Sequence, residues 1–330
     1  MQFEKDTNKV RVTLSSLASN NNIFIGTAVS SKYINTDEKY KNIIADEFNI
    51  ITTENEMKFD LIHPERERYN FLQSDALVNF GIEHNKKIRG HTLVWHRRIP
   101  EWLEKGQYSK AEMKAILKQH IQTIVGRYKG EIYAWDVVNE AFNEDGTLKD
   151  SIWLRTIGKE YIALSYKWAH EADPNALLYY NDFNIEEINA KSDAVYGLFQ
   201  YFKRNNIPID GLGMQMHTSI ADPYNLEKVK NNIARMGKLN LDVQITELDI
   251  SLGKYKKNSK VLGKLLTEQS AHYSDILNVC LATSTCTGLI MWGFTDKYTA
   301  RKENEFPLIL DNEYKPKPAY WSLFNTLEDY

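Results

Sequence analysis

Eight short apolar runs separated by amphipathic segments constrain the fold of this 330-residue chain more than any other feature. The runs have the length and the β-branched content of buried strands, and most are followed by a segment with helical periodicity. Strands that alternate with helices predict an α/β fold, and eight such units predict a single (β/α)8 TIM barrel. A doubly wound sheet is the alternative, but the sequence lacks the glycine-rich phosphate loop of a dinucleotide-binding fold. The runs are residues 23–29, 50–57, 87–95, 132–140, 177–183, 209–216, 242–249 and 288–295.

The clearest helical segment lies between the third and fourth runs, where apolar or amphipathic side chains recur every three or four residues. We expect the whole chain, residues 1–330, to form one barrel, with about residues 1–12 as an N-terminal extension. Further helical segments are residues 152–171, 189–205, 226–239 and 262–281. The helical face of the clearest segment consists of Met113, Ile116, Leu117, His120, Ile121, Ile124, Val125 and Tyr128.

The composition argues against two classes of partner. A formal net charge of −3 gives no electrostatic reason to expect a nucleic-acid partner. No segment approaches the ~18 consecutive apolar residues of a membrane-spanning helix, so no membrane partner is expected. Aromatic residues make up 12% of the chain, with 19 Tyr and 7 Trp. Such a surplus suits a protein that stacks rings on sugars.

The fourth apolar run ends abruptly in an amide and a carboxylate, Asn139 and Glu140. In a TIM barrel, the carboxyl ends of the strands form the face that carries the active site. A carboxylate there has lost much of its water, and burial raises its pKa toward the range that a general acid needs. A structural role, in which Glu140 forms a salt bridge with a neighbouring helix, is equally compatible with this local pattern.

The seventh run also ends in carboxylates, Glu247 and Asp249, which lie on one face of the strand by period-two alternation. Glycoside hydrolysis uses one carboxyl group to protonate the leaving oxygen and a second to attack the sugar or to activate water. Glu140 and Glu247, far apart in sequence but at the same end of the barrel, are therefore a candidate pair of acids for that reaction.

Polar and aromatic residues at the other strand ends would complete a sugar site. Each alone has an ordinary structural explanation, because a lone strand-end histidine or tryptophan more often belongs to the core. Together at one barrel mouth, amides and imidazoles would satisfy sugar hydroxyls, and indole rings would cover the apolar face of a pyranose. These residues are Glu54, Asn55, Lys58, His91, Trp95, His96, Gln215, His217 and Trp292.

Motifs along nearly the whole chain resemble those of the family 10 glycoside hydrolases, chiefly endo-β-1,4-xylanases, and they occur in the expected order. Jointly they are highly specific. They are TENEMK at 53–58, RGHTLVWH at 89–96, WDVVNE at 135–140, GMQMH at 213–217, ITELD at 245–249, WG at 292–293 and KPKPAY at 315–320.

The resemblance implies a retaining endo-1,4-β-xylanase that needs no cofactor or metal and acts as a monomer. It would hydrolyse internal β-1,4 bonds of xylan and xylo-oligosaccharides by double displacement through a covalent glycosyl-enzyme intermediate. Glu140 would be the acid/base and Glu247 the nucleophile, while Asn139 would bind the sugar 2-hydroxyl. His217 would orient Glu247 and would itself be held by Asp249.

The resemblance also assigns residues to the sugar sites. Five would line the site at the cleavage point, and two would bind the next sugar toward the non-reducing end. The first group is Lys58, His91, Trp95, Gln215 and Trp292, and the second is Glu54 and Asn55.

Two positions depart from the family pattern. Where the family usually has a second Trp after the strand-eight motif, this chain has Ala300, and where the family often has Gln, it has Arg98. Both positions flank the non-reducing sugar sites, where they crowd the space that a glucose hydroxymethyl would need. Arg98 could reach into the gap and bind a carboxylate or hydroxyls, or it could point to solvent while a loop aromatic refills the wall. We expect a wider site that tolerates decorated xylan or some glucosides.

Cys280 and Cys286 are six positions apart, and their spacing alone allows either a disulfide or two reduced, buried thiols. The resemblance favours the disulfide, because many secreted members carry one at this place. No leader is visible at the N-terminus. We nevertheless expect a secreted protein, with a cytoplasmic enzyme as the alternative that two free thiols would favour.

Two other classes of function fit the sequence less well. A catalytically silent barrel that only binds glycans or a partner protein would usually have lost one acid, whereas Glu140 and Glu247 both stand in intact motifs. A zinc hydrolase could use His91, His96 and His217, but the His-x-His of strand one in metal-dependent barrels is missing.

Overall fold

The computed structural model describes residues 11–253, 259–302 and 304–330, and it confirms the predicted (β/α)8 barrel. Eight strands pair in parallel around a closed ring, in the order β6-β5-β4-β3-β2-β1-β9-β8, and β6 pairs with β8 to close it. A short additional strand, β7, pairs in parallel with β8 alone. The strands are β1 (Phe24–Val29), β2 (Ile50–Thr53), β3 (Lys87–Trp95), β4 (Ala134–Asn139), β5 (Leu177–Asp182), β6 (Gly211–Met214), β7 (His217–Ser219), β8 (Asp242–Ser251) and β9 (Cys286–Met291).

Helices surround the ring and bury one face against it. The clearest predicted helix begins after a capping box formed by Ser109 and Glu112. Every residue of its predicted apolar face except Tyr128 lies within the helix, and these residues are buried. The helices are α1 (Leu14–Asn20), α2 (Ser31–Thr36), α3 (Glu38–Glu47), α4 (Phe59–Ile62), α5 (Leu72–Glu83), α6 (Glu101–Glu104), α7 (Lys110–Arg127), α8 (Ile152–Thr156), α9 (Glu160–Ala172), α10 (Ala190–Arg204), α11 (Leu226–Gly237), α12 (Ser259–Leu281) and α13 (Pro318–Asp329).

One helical segment was predicted too long. The stretch 152–171 forms two helices, α8 and α9, because Gly158 between them has a φ of +89°. That left-handed conformation interrupts a right-handed helix and is accessible to glycine at little cost. The predicted N-terminal extension, about residues 1–12, lies almost entirely outside the described residues.

Strand register brings distant motifs side by side at the carboxyl ends. His91 of β3 is aligned with Asp136 of β4, and Asn139 of β4 is aligned with Asn181 of β5. His217 of β7 is aligned with Asp249 of β8 in the same way. Because neighbours in a parallel sheet present the same face, these pairs meet inside the barrel mouth.

The sulfur atoms of Cys280, in α12, and Cys286, at the start of β9, are bonded to each other. The bridge ties the end of a surface helix to the first residue of a barrel strand. None of the helices in the described parts of the chain has the length and apolar character needed to cross a bilayer.

Candidate active site

Glu140 and Glu247 line one cavity of about 350 Å³ at the carboxyl ends of the strands. Both are nearly buried, at 7% and 5% exposed. Buried carboxylates need hydrogen-bonding partners to offset lost hydration, and both have them. Every residue predicted to line the cleavage point lies in the same cavity. Its other lining residues are Lys58, His91, Trp95, Arg97, Asn139, Phe183, Asn184, Gln215, His217 and Trp292.

The backbone at the end of β4 aims Glu140 into the cavity. Glu140 has a φ of +55°, a left-handed conformation that is uncommon for a residue with a Cβ. Its N–H donates to the carbonyl of Asn181 at 2.9 Å, which fixes this turn against the end of β5. Uncommon backbone geometry at a strand end is often found where a side chain must be placed for function.

The side chains of Trp95 and Gln215 donate hydrogen bonds to Glu140. Nε1 of Trp95 lies 3.0 Å from Oε2, and Nε2 of Gln215 lies 3.1 Å from Oε1. Burial raises the pKa of Glu140, but these two donors, together with the charges of Lys149 and His96, lower it by more. The sequence-based expectation of a raised pKa was therefore wrong for this arrangement, because it counted burial but not the donors.

Glu247 has a separate set of partners. Nδ2 of Asn181 donates to its Oε1 at 2.7 Å, and Nε2 of His217 lies 3.2 Å from its Oε2. The Asn181 amide also contacts the amide of Asn139 at 3.0 Å. The Asn139 amide in turn lies 3.4 Å from Gln215. A continuous line of amides therefore runs between the two carboxylates.

His217 is held between two carboxylates. Its Nδ1 lies 3.0 Å from Oδ2 of Asp249, and its Nε2 faces Glu247. Burial lowers the pKa of His217, but the two carboxylates outweigh burial and raise it to about 10. The imidazole is therefore a cation at neutral pH and directs a positive charge at Glu247.

Sequence reasoning missed Asn181 and Arg301, which hold Glu247 and Asp249. Asn181 is the second-last residue of β5, so the strand-end rule that found the other residues could have found it. A Cβ at Gly213 on the neighbouring strand would collide with the Asn181 amide, so the glycine makes room for it. Arg301, which binds Asp249 through its guanidinium, lies in a loop and carries no comparable signal.

The residues predicted for the next sugar site form a linked group beside the cavity. Nδ2 of Asn55 donates to Glu54 at 3.0 Å, and Oδ1 of Asn55 accepts from Lys58 at 3.1 Å and from Arg98 at 3.3 Å. Arg98 also donates to Asp60 at 2.6 Å. Its guanidinium is thus fixed beside Asn55 and does not simply point to solvent.

Aromatic rings form a wall of the cavity. Nζ of Lys58 lies 5.3 Å from the ring centre of Trp95 and 5.5 Å from that of Trp292, so the cation is flanked by two indoles. His91 packs edge-on against Trp292 with ring centres 5.3 Å apart. Indole faces beside a fixed cation are suited to a sugar ring with its many hydroxyls.

Ala300 borders a small niche instead of filling it. The niche is walled by Glu54 and Trp292 and by Tyr33 and Tyr298, whose rings stack at a 3.7 Å centre-to-centre distance. Tyr298 is fixed through its hydroxyl, which donates to Asp37 at 2.9 Å. A pair of tyrosines, and not Arg98, therefore stands next to the position where the family pattern has a Trp.

No cluster of three or more His, Cys, Asp or Glu with the arrangement of metal ligands occurs within the described ranges. Two of the three histidines considered for zinc have carboxylate partners. Nδ1 of His91 lies 2.9 Å from Asp136, and His217 is flanked by Asp249 and Glu247.

Two buried carboxylates with different partners, facing one cavity beside indole rings at the mouth of a (β/α)8 barrel, define a glycoside hydrolase. The sequence profile described as Glycosyl hydrolase family 10 matches residues 13–326. This protein belongs to that family, as its motifs predicted.

Relatives and solved structures agree with this assignment. Endo-1,4-β-xylanase B of Thermotoga neapolitana is 42% identical over 326 residues, which cover 96% of this chain and 92% of that protein. Xylanase 10B of Thermotoga petrophila, solved in complex with xylobiose, superimposes with a TM-score of 0.92 at 40% identity, covering 98% of this chain and 99% of that chain. An intracellular xylanase of Thermoanaerobacterium saccharolyticum, solved with xylotetraose, gives a TM-score of 0.88 at 32% identity, covering 96% and 99%.

Proposed function

We propose that this protein is an endo-1,4-β-xylanase that hydrolyses xylan and xylo-oligosaccharides with retention of anomeric configuration. The observation that carries the proposal is the shared cavity of Glu140 and Glu247, in which each carboxylate has its own donors. The substrate is supported by the relatives named as xylanases and by the xylobiose bound to the similar Thermotoga petrophila enzyme.

In the first step, a carboxylate oxygen of Glu247 attacks the anomeric carbon while the bond to the leaving oxygen breaks. Glu140 gives its proton to that oxygen, so the leaving sugar departs as an alcohol. In the second step, water attacks the same carbon, Glu140 takes a proton from the water, and Glu247 is released. The cation of His217 and the Asn181 amide keep Glu247 oriented through both steps.

The donors on Glu140 suggest how its protonation is controlled. A sugar in the cavity competes for the Trp95 N–H and the Gln215 amide, both of which line the cavity. When these donors turn to the sugar, they cease to stabilise the charged form, and the pKa of Glu140 rises toward the value of a working acid.

The niche at Ala300 supports a broader choice of sugar on the non-reducing side. A glucose hydroxymethyl group would approach the position where the family has a Trp, and Tyr33 and Tyr298 border that position. Arg98, fixed on Asn55 and Asp60, offers a cation close to the same site, where a uronic-acid substituent could be bound. We therefore propose tolerance of decorated xylan and of some glucosides.

The Cys280–Cys286 bridge supports a secreted protein, because disulfides persist in oxidising compartments. The similar Thermoanaerobacterium saccharolyticum enzyme is described as intracellular, so the redox state of the two cysteines is the discriminating observation.

Two measurements test the function. Proton NMR of xylo-oligosaccharide hydrolysis should show the β-anomer as the first product, and first appearance of the α-anomer would contradict a retaining mechanism. Product profiles on xylan, glucuronoxylan, arabinoxylan and a soluble cellulose, run side by side, should show internal cleavage of the three xylans. An enzyme that released products only from the cellulose would instead be a β-1,4-glucanase.

A further inference from the structure

Arg301 binds the carboxylate that supports the histidine of the nucleophile. Its Nη2 donates to Oδ1 of Asp249 at 2.6 Å, and its Nε lies 3.1 Å from both carboxylate oxygens. Such a fork-shaped contact fixes the carboxylate in orientation as well as position. Asp249 is only 3% exposed, so its charge is buried and depends on its two cationic partners, Arg301 and His217.

The contact extends a line of charges that ends at the reacting oxygen. Oδ1 of Asp249 faces Arg301, Oδ2 faces Nδ1 of His217, and Nε2 of His217 faces Glu247. If Asp249 turned about its own side-chain bonds, the imidazole would lose the partner that sets its tilt. Because Arg301 donates to Oδ1 and also reaches Oδ2, such a turn would break its contacts.

The barrel contains a second arrangement of the same kind, which serves as an internal comparison. On the opposite wall, Oδ1 of Asp136 accepts from the buried Arg89, and Oδ2 of Asp136 lies 2.9 Å from Nδ1 of His91. There the second imidazole, His91, also lines the cavity. In both cases an arginine binds the carboxylate oxygen that the histidine does not, although Nε of Arg301 also reaches the second oxygen of Asp249.

We propose that Arg301 is a positioning residue for the nucleophile, acting through Asp249 and His217 to hold Glu247 in line with the anomeric carbon. The loop that lacks the family Trp at position 300 thus delivers, at the next position, a side chain that serves the reaction. This inference rests on the proposed function of Glu247 as the nucleophile.

A purely structural role would be different. Arg301 is 32% exposed and lines a wider cleft of about 520 Å³ with Tyr224 and Ser251, so it could merely anchor its loop. Loss of an anchor would lower stability or substrate binding. Loss of a positioning residue would lower the rate of the bond-forming step while binding stays the same.

The test uses covalent labelling by 2,4-dinitrophenyl 2-deoxy-2-fluoro-β-xylobioside. In this reaction a Glu247 oxygen bonds to the anomeric carbon, dinitrophenolate leaves, and no acid is needed. Arg301→Gln should lower the maximal labelling rate constant about tenfold, as expected within one hydrogen-bond network, with less than about a twofold change in the inhibitor dissociation constant. Arg301→Lys, which keeps the charge but not the fork, should recover part of the rate.

The pH profile provides a second readout. Burial raises the pKa of Asp249, but His217 and Arg301 together hold it below the ordinary value. Without Arg301 the acid limb of the labelling rate should move to higher pH, which loss of a loop anchor would not cause. Lys302→Gln, a neighbouring exposed position, is the matched control and should match the wild type in both measurements.

The outcomes separate the two claims. If wild-type enzyme is not labelled on Glu247, the proposed function fails. If it is labelled and Arg301→Gln has the wild-type rate constant and pH profile, or changes only the dissociation constant, the positioning role is wrong. Should Arg301→Gln fail to fold, Arg301→Lys carries the test alone, and a wild-type rate constant in that variant would refute the need for a fork-shaped contact.

Discussion

The side-chain amide of Asn181 donates a 2.7 Å hydrogen bond to Oε1 of Glu247, across the interior of the barrel mouth. Asn181→Asp keeps the size of the side chain but replaces this donor by a second carboxylate. Hydrogen bonds to charged groups contribute about 1.5–3 kcal/mol, so we expect kcat/KM on xylo-oligosaccharides to fall about 10- to 150-fold. Asn42→Asp, at an exposed position of α3, is the control for added charge. A loss smaller than twofold would show that the contact does not matter for catalysis.

Variants of the two carboxylates proposed as catalytic should lose activity in different ways. Glu140→Ala should lose nearly all hydrolysis of xylan, because an unactivated leaving group needs a proton. It should still release dinitrophenolate from an aryl xylobioside, since general acid catalysis typically contributes about 10²- to 10⁴-fold and a good leaving group does not need it. Glu247→Ala should lose both reactions. Circular dichroism would check that each variant is folded, and full activity of either on xylan would overturn the assignment.

The charge of His217 predicts how stability depends on pH. Its pKa in the folded protein is raised to about 10, because ion pairing with Asp249 and Glu247 outweighs burial. A group whose pKa is higher in the folded than in the unfolded protein contributes its full stabilisation below the unfolded pKa, which is about 6.5 for histidine. This contribution to the unfolding free energy declines as pH rises toward about 10. The difference in unfolding free energy between wild type and His217→Gln, measured with urea, should therefore be largest at pH 6 and shrink by pH 10. A difference that stayed constant would contradict a charged imidazole.

Refilling the niche should narrow the choice of sugar. Ala300→Trp would add an indole near Trp292 and the Tyr33–Tyr298 stack, at the position proposed to admit a hydroxymethyl group. We expect kcat/KM on aryl cellobioside to fall about tenfold relative to aryl xylobioside, within the range for steric discrimination in one pocket. Ala300→Ser, which adds little volume, is the control. An unchanged ratio would show that Ala300 does not set this selectivity.

The disulfide can be tested independently of activity. Alkylation under denaturing conditions without reductant should leave both Cys280 and Cys286 unmodified if they are bridged. Closing so short a loop is worth about 2 kcal/mol in the chain-entropy description, so a Cys280→Ser, Cys286→Ser double variant should unfold at a slightly lower temperature. Two alkylated cysteines in the native protein would favour the cytoplasmic alternative.

The barrel could be predicted from the sequence because its signal is repeated eight times. Each strand is buried on both faces and therefore reads as an apolar run, and parallel strands place all their carboxyl ends on one side. That rule brought Glu140, His91, Gln215 and Glu247 to one mouth. The same periodicity could not locate the break at Gly158, where a single positive φ divides an otherwise regular helical pattern.

The sequence could not predict which side chains would form hydrogen bonds or ion pairs with each residue of the site. The pKa of Glu140 is lowered by hydrogen bonds from Trp95 and Gln215, which come from distant parts of the sequence. Burial alone would raise this pKa. Arg301 reaches Asp249 from a loop whose course no local pattern encodes. Asn181 was accessible to the strand-end rule, because it is the second-last residue of β5, but the rule was applied only to other strand ends.

The two arginine–aspartate–histidine arrangements differ in where they originate. Arg89 extends from a barrel strand and is wholly enclosed, so altering it would disturb the framework on which all eight strands depend. Arg301 comes from a surface loop, a part of the molecule that tolerates insertion and exchange. If Arg301 positions Glu247 as proposed, exchange of this connecting segment would alter the active centre while the barrel strands stay unchanged.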